Sequence, residues 1–153
     1  MKIVFLDRKT IGDDLDLTKF EDFGQVVMYG FSTPEEVPER VADADVIILN
    51  KVPVNERTVG KARNLKLVCV TATGTDNLDK EYLEIAWRNV AGYSTDSVAQ
   101  HTFAMLFYLY EKLAYYDDYV KSGRYIGDKT FTPFAPVFRE LAGKKWGIIG
   151  LGA

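Results

Sequence analysis

The segment CVTATGTDNLD, residues 69–79, decides the fold because it joins three signals in order. An apolar run that starts at Leu67 ends in small hydroxylated residues, Gly74 follows, and Asp76 and Asn77 precede a helical pattern. This order predicts the carboxyl end of a buried strand, a loop and a helix start, which is where open parallel sheets bind ligands. Gly74 permits close backbone approach, and exposed N–H groups there suit a carboxylate or phosphate. An ordinary strand–turn–helix junction has the same pattern.

Five short apolar runs predict the strands of one sheet: Lys2–Leu6, Gln25–Met28, Val46–Leu49, Leu65–Val70 and Ile85–Val90. Helical patterns separate them, over Asp14–Phe23, Ser32–Ala44, Asn55–Ala62 and Leu78–Glu84. Strands that alternate with helices through short links indicate a parallel sheet with right-handed crossovers. We therefore predict an α/β protein with a flavodoxin-like, doubly wound parallel five-stranded sheet. No turn residue separates Glu84 from Ile85, so this link is unusually tight or residues are absent there.

Composition and charge narrow the classes of partner. The 153 residues are 47% hydrophobic and 27% charged, a balance typical of a globular chain with a substantial core. The net charge of −3 and the lack of a basic run argue against nucleic acid and anionic membranes. No apolar stretch approaches the length of a membrane span. The single cysteine, Cys69, cannot form an internal disulfide, and we expect a cytoplasmic protein.

The last third of the chain is organised differently. A long helix is predicted over Val98–Val120, and its first half is apolar around the whole circumference. An irregular aromatic connector follows over residues 123–143. Residues 144–153 then read as an apolar strand, Gly147–Leu151, that enters Gly-Leu-Gly, the opening of a dinucleotide-binding fingerprint. We expect residues 1–122 to form the flavodoxin-like domain and residues 144–153 to be the first strand of a truncated Rossmann domain.

Three segments together resemble one enzyme family. Residues 72–79, 92–102 and 141–152 are similar to the D-isomer-specific 2-hydroxyacid dehydrogenases, in the same order and spacing. Asn50-Lys51 and the run from Tyr93 to His101 look most like family members of the glycerate dehydrogenase (hydroxypyruvate reductase) type. The resemblance implies a flavodoxin-like substrate domain, a Rossmann domain for NAD and an active site in the cleft between them.

The resemblance also implies roles for single residues. Substrate binding falls on the backbone N–H groups of Thr73 and Gly74, with Lys51 and Tyr93 close to the substrate. Cofactor binding falls on Val98, which would face the nicotinamide, and on Gly150 and Gly152, which would pass under the pyrophosphate. The catalytic Arg, Glu and His of the family match no position in this chain, so no catalytic or metal-binding residue is expected. His101 lies inside a helical pattern, and we interpret it as structural.

These inferences define the function that we expect. The chain is the substrate-binding half of an NAD- or NADP-dependent oxidoreductase for small 2-hydroxy or 2-oxo acids. By itself it is expected to bind no cofactor and to be inactive. Exposed apolar surface on the Val98–Val120 helix, or the unpaired strand Gly147–Leu151, is expected to cause homodimerisation or other self-association.

A stand-alone flavodoxin-like binding or signalling module is the alternative. A receiver domain of that kind needs acids after the first strand, an Asp after the third and a Lys after the fifth. The chain offers Asp7, Asn50 and Gly92 at these places. Two of the three requirements therefore fail.

Overall fold

A computed structural model of the chain describes residues 1–150. The chain divides into two compact units, Met1–Tyr93 and Ser94–Ala153. The first unit contains the sheet, and the second contains the long helices. Gly152, one of the predicted cofactor residues, lies outside the described residues.

The first unit is built on a five-stranded sheet, as predicted. Its strands are β1 (Lys2–Phe5), β2 (Gln25–Met28), β3 (Val46–Leu49), β4 (Leu67–Val70) and β5 (Ala86–Asn89). Every pair is parallel, and the order across the sheet is β2-β1-β3-β4-β5. This is the flavodoxin-like order, in which all strand carboxyl ends meet along one edge. The prediction of an α/β doubly wound sheet is confirmed.

Side chains alternate between the two faces of the central strands, so the sheet carries two apolar clusters. The larger cluster combines strand residues with the covering segments, and it includes Val4, Ile47, Val68, Val37 and Val59. The smaller cluster contains Ile3, Phe5, Val46 and Ile48, against which Ile11, Leu17 and Phe20 pack. Both faces of β1 and β3 are therefore covered, which explains why these strands read as continuous apolar runs.

The segments that cover the sheet are shorter than predicted. The expected helix over Asp14–Phe23 is a 3-10 helix over Thr18–Phe23, and a second 3-10 helix spans Arg8–Ile11. The helix expected over Ser32–Ala44 reduces to α1 (Val37–Arg40). Pro38 lies in its first turn, because a residue without an N–H fits only there. The helix expected over Asn55–Ala62 is α2 (Glu56–Val59), which Asn55 caps.

The helix predicted over Leu78–Glu84 is wrong, because this segment forms turns. The Val54 N–H donates to the Asn77 carbonyl at 2.8 Å, and the Asp79 N–H donates to the Val54 carbonyl at 2.9 Å. These bonds make a parallel bridge between Val54 and Leu78 and use backbone groups that a helix would need. No helix therefore ends at Glu84. The link to β5 at Glu84 and Ile85 follows turns instead.

The second unit contains α3 (Thr95–Tyr110), α4 (Leu113–Lys121) and α5 (Arg124–Gly127). The single helix predicted over Val98–Val120 is therefore wrong. Lys112 has a φ of 56°, the left-handed conformation that commonly ends a helix, and it separates α3 from α4. No residue of α3 is buried.

The expected strand at Gly147–Leu151 is absent over residues 147–150, where the backbone is irregular. A strand requires a neighbouring strand, and none is present among residues 94–150. The connector packs within its own unit. The Tyr116 hydroxyl donates to the Pro136 carbonyl at 2.9 Å, and the rings of Tyr116 and Phe138 meet edge to face at 5.8 Å.

Tyr119 anchors α4 to the start of the connector. It is buried, and its hydroxyl donates to the Asp128 carboxylate at 2.5 Å. This hydrogen bond, the burial of the phenol and the negative charge of Asp128 raise the pKa of Tyr119 to about 12. The same hydrogen bond lowers the pKa of Asp128. Both shifts stabilise the pair with Tyr119 protonated and Asp128 ionised.

The raised pKa makes this contact sensitive to alkali. Because the folded pKa of Tyr119 exceeds the ordinary value near 10, the contribution of its protonated form is complete below about pH 10 and is lost as the pH rises through about 12. A titration of tyrosinate absorbance should show one late step, which Tyr119→Phe removes. Tyr125→Phe is the control, since the Tyr125 ring touches Tyr119 without taking part in the hydrogen bond. If Tyr125→Phe removed the late step and Tyr119→Phe did not, the assignment of that step to Tyr119 would be contradicted.

Candidate functional site

Asp7, directly after β1, organises the carboxyl edge of the sheet. Its side chain is buried, and it accepts hydrogen bonds from three consecutive N–H groups of the loop after β3. The Asn50 N–H lies 2.8 and 3.0 Å from its two oxygens, and the Lys51 and Val52 N–H groups lie 2.6 and 3.4 Å from Oδ2. Within residues 1–150 Asp7 has no ion-pair partner. These charge-assisted bonds offset the cost of burying a carboxylate.

Asn77 holds the same loop from the other side. Its Nδ2 donates to the Val52 carbonyl at 2.9 Å and to the Asn50 carbonyl at 3.3 Å. The loops after β3 and β4 are thus tied together. The Lys51 backbone is fixed while its side chain is exposed, and its ammonium makes no ion pair in the described part of the chain.

The loop after β4 is tied to both neighbouring strands. The Thr71 N–H donates to the Leu49 carbonyl at 2.8 Å. The Thr73 hydroxyl donates to the Val90 carbonyl at 3.0 Å, and Asn89 Nδ2 donates to the Thr73 carbonyl at 2.8 Å. These bonds occupy the carbonyl and hydroxyl of Thr73.

The Thr73 and Gly74 N–H groups are among the backbone donors of this loop that have no protein acceptor in residues 1–150. Both residues are exposed. A Cβ added at Gly74 would have only one atom within 4 Å, Asp76 Oδ2 at 3.8 Å, so the backbone can be approached closely. Adjacent unpaired N–H groups at the carboxyl edge of a parallel sheet are able to donate to a small anion.

Tyr93 follows β5, and its side chain is 63% exposed. It lines a cavity of about 490 Å³ together with Thr10, Asn50 and Thr71. The other walls are apolar and come from residues such as Phe5, Ile11, Phe20, Ile48 and Val90. The cavity is open at the strand ends and has the size of a small-molecule site.

The structure places the predicted substrate residues along one edge. Lys51, Thr73, Gly74 and Tyr93 lie on the loops that follow β3, β4 and β5, which are adjacent in the sheet. Asp7, Asn77 and Asn89, which hold these loops, were missed as site residues. An acid directly after a buried strand was the signal for Asp7, but its bonding partners are 43 to 45 residues away.

The predicted cofactor residues belong to the second unit. Val98 lies in the first turn of α3 and is 60% exposed. Gly150 has a φ of 116°, a conformation that favours glycine, and no atom lies within 4 Å of a Cβ added there.

His101 is exposed on α3. Among the described residues no group of His, Cys, Asp and Glu could hold a metal ion. Across the same residues no helix has the length and apolarity to cross a bilayer.

Comparison with known proteins defines the class. Residues 3–138 match the model of the D-isomer specific 2-hydroxyacid dehydrogenase catalytic domain, and the chain belongs to this family. A glycerate dehydrogenase of Methylorubrum extorquens is 34% identical over 99% of this chain and 49% of its own length. A hydroxypyruvate reductase of Blautia hydrogenotrophica is 31% identical over the same shares. The chain spans about half the length of the curated relatives it matches.

Solved structures agree with this class. An acyclic imino acid reductase in complex with NADPH and D-Arg has a TM-score of 0.72 and 25% identity, over 89% of this chain and 44% of that one. An NAD-dependent formate dehydrogenase of Staphylococcus aureus in complex with NAD has a TM-score of 0.59 and 28% identity, over 80% and 41%. The family resemblance seen in the sequence is confirmed.

The arrangement around Asp7 predicts a stability effect. Asp7→Asn keeps one acceptor oxygen but removes the charge and turns an NH₂ group toward N–H donors. We expect the free energy of unfolding to fall by about 1.5–3 kcal/mol, the range for hydrogen bonds to charged groups. Chemical denaturation measures the change. Asp13→Asn is the control, because Asp13 is exposed and unbonded within the described residues. Equal effects of the two substitutions would contradict the role of Asp7.

Proposed function

We propose that this chain is the substrate-binding half of an NAD(P)-dependent D-2-hydroxyacid dehydrogenase that interconverts a small 2-oxo acid and its 2-hydroxy acid. The observation that carries the proposal is the pair of unpaired N–H groups at Thr73 and Gly74. They lie at the sheet edge where parallel α/β proteins bind ligands, in a chain that belongs to this family. The names of the two relatives support hydroxypyruvate and D-glycerate as the substrate pair.

Each of the predicted substrate residues would have a separate role in binding the acid. The N–H groups of Thr73 and Gly74 would donate to the carboxylate, as backbone donors do in small anion sites. The Lys51 ammonium would add a favourable charge from the neighbouring loop. Tyr93 would bound the site on the β5 side. Because the loops are already tied by Asp7, Asn77 and Asn89, these donors would not need to be ordered when the acid binds.

The cofactor would be held by residues of the second unit. In this proposal Val98 would contact the nicotinamide, and the backbone of Gly150 and Gly152 would bind the pyrophosphate. When bound, the nicotinamide would carry the hydride to or from the acid. We assign no proton transfer to a residue of this chain, so the 153 residues alone are proposed to be inactive. Residues 1–122 would be the substrate domain, 123–143 the connector and 144–153 the start of the cofactor domain.

A stand-alone flavodoxin-like module is the second candidate. The free anion site would also serve a binding module, but membership of the dehydrogenase family favours the enzyme half. The two are separated by the kind of ligand that the sheet edge accepts.

Titration of the chain with pyruvate and with its neutral amide tests the carboxylate site. Amide resonances of Thr73 and Gly74 should move with pyruvate and not with pyruvamide, because only the carboxylate carries the charge that these donors recognise. Lys51→Met should weaken pyruvate binding roughly two- to fivefold at low ionic strength, the range for one exposed ion pair. Lys61→Met is the matched control, since Lys61 is also exposed but follows α2.

Two results would refute the carboxylate site. One is an equal response of Thr73 and Gly74 to the acid and the amide. The other is equal weakening of pyruvate binding by the two lysine substitutions. Either would remove the basis for assigning this edge to a 2-oxo acid.

We also propose that the chain self-associates through the apolar surface of α3. This surface is defined by Val98, Met105 and Leu109, which lie on one face of the helix and are between 48% and 68% exposed. Contiguous apolar surfaces of this kind drive association because burial removes them from water. The alternative route through a strand at residues 147–151 has less support, because residues 147–150 form no strand.

Light scattering across a range of concentrations tests this surface. The wild-type chain should show a mass that rises with concentration, and Leu109→Lys should shift it toward the monomer. Ile126→Lys is the control, because Ile126 is 87% exposed but lies on α5. A wild-type chain that stays monomeric at every concentration would contradict the proposal.

A further inference from the structure

The cavity beside Tyr93 contains a hydrogen-bond acceptor without a partner. Asn50 lines this cavity, and its Oδ1 is buried with no hydrogen-bond donor among the described residues. The backbone of Asn50 is fully used, since its N–H donates to Asp7 and its carbonyl accepts from Asn77. Only the side-chain amide has no protein partner.

An unsatisfied buried acceptor destabilises a fold, so such groups in a native structure call for an explanation. A leucine, whose side chain branches at the same atom, would avoid the cost at this position. The amide is therefore better explained by a ligand that supplies a donor. The terminal torsion of asparagine is broad and roughly two-fold, so the amide can turn its oxygen toward the cavity.

The walls define which ligand group fits. Phe5, Ile11, Ile48 and Val90 are apolar, and within residues 1–150 no lysine, arginine or carboxylate lines the cavity. The Thr10 and Thr71 hydroxyls donate to the carbonyls of Asp7 and Leu49, which leaves them as acceptors toward the cavity. A charged group would lose its hydration here without a counter-ion. An uncharged group suits the apolar walls, and a hydroxyl donor on it would supply the partner that Asn50 Oδ1 lacks.

We propose that this cavity binds the uncharged, hydroxyl-bearing side chain of the substrate acid, and that Asn50 is the residue that selects for the hydroxyl. The inference rests on the proposed function for the carboxylate: Asn50 precedes Lys51, Thr71 lies two residues before Thr73, and Tyr93 lines the cavity. A substrate whose side chain ends in a phosphate is rejected by the same walls.

Titrations of the full 153-residue chain with three acids test the selection. D-Glycerate carries the hydroxyl, D-lactate lacks it and 3-phospho-D-glycerate replaces it with a charge. D-Glycerate should bind roughly three- to tenfold more tightly than D-lactate, the ratio expected for one hydrogen bond, and the phosphorylated acid should bind most weakly. Asn50→Leu should equalise D-glycerate and D-lactate without changing the affinity for D-lactate.

Two further measurements separate this inference from the proposed function. Glycerol lacks a carboxylate and should move the Thr10 and Thr71 resonances in the wild type but not in Asn50→Leu. Thermal unfolding of Asn50→Leu should occur at the wild-type temperature or above, because the substitution removes an unsatisfied acceptor.

The outcomes are distinct. Equal binding of D-glycerate and D-lactate to the wild type, with Thr73 and Gly74 responding to both, overturns the selection by Asn50 and leaves the carboxylate site standing. No response of Thr73 and Gly74 to any acid overturns the proposed function. A markedly lower unfolding temperature for Asn50→Leu shows that the amide is structural and overturns the inference, as does the absence of a glycerol response.

Discussion

The hydrogen bonds from the loop after β3 to the buried Asp7 carboxylate are the interaction on which the carboxyl edge depends. A carboxylate at the end of β1 must be compensated because burial removes its hydration, and the N–H groups of Asn50, Lys51 and Val52 provide that compensation. The loop after β3 is thereby fixed to the end of β1. Asn77 extends the restraint to the loop after β4 by donating to two carbonyls of the same loop.

The polar groups without a hydrogen-bond partner at this edge are best understood beside those that have one. Several polar groups of these three loops are paired with a neighbouring loop or strand, whereas the Thr73 and Gly74 N–H groups and the Asn50 amide oxygen have no protein partner among the described residues. Two donors and one acceptor lie on adjoining loops that other residues hold in place. Such an edge matches a ligand with an acid at one end and a hydroxyl donor at the other, since each unpaired group then has a partner of the opposite kind.

Strands were predicted more accurately than the segments between them, and the reason is physical. β2 and β3 have the bounds read from the sequence, because short apolar runs between turn residues are distinctive even where, as in β2, the strand is only partly buried. The prediction of a helix over Leu78–Glu84 was wrong because Val54, on a distant loop, forms backbone hydrogen bonds with Asn77 and Asp79. The prediction of one helix over Val98–Val120 was wrong at Lys112. This residue has a left-handed backbone, which a lysine in the sequence does not indicate and a glycine would.

By itself, the sequence determined the parallel sheet, the family and the loops on which Lys51, Thr73, Gly74 and Tyr93 lie. Apolar periodicity and glycine positions are local properties, so they are readable along the chain. Only the tertiary structure decided that Asp7 restrains the loop after β3, that the Thr73 and Gly74 N–H groups stay unpaired and that Asn50 keeps a partnerless oxygen. Each depends on which groups meet across 17 to 45 residues of chain, and no local pattern specifies whether a given donor or acceptor has found a partner.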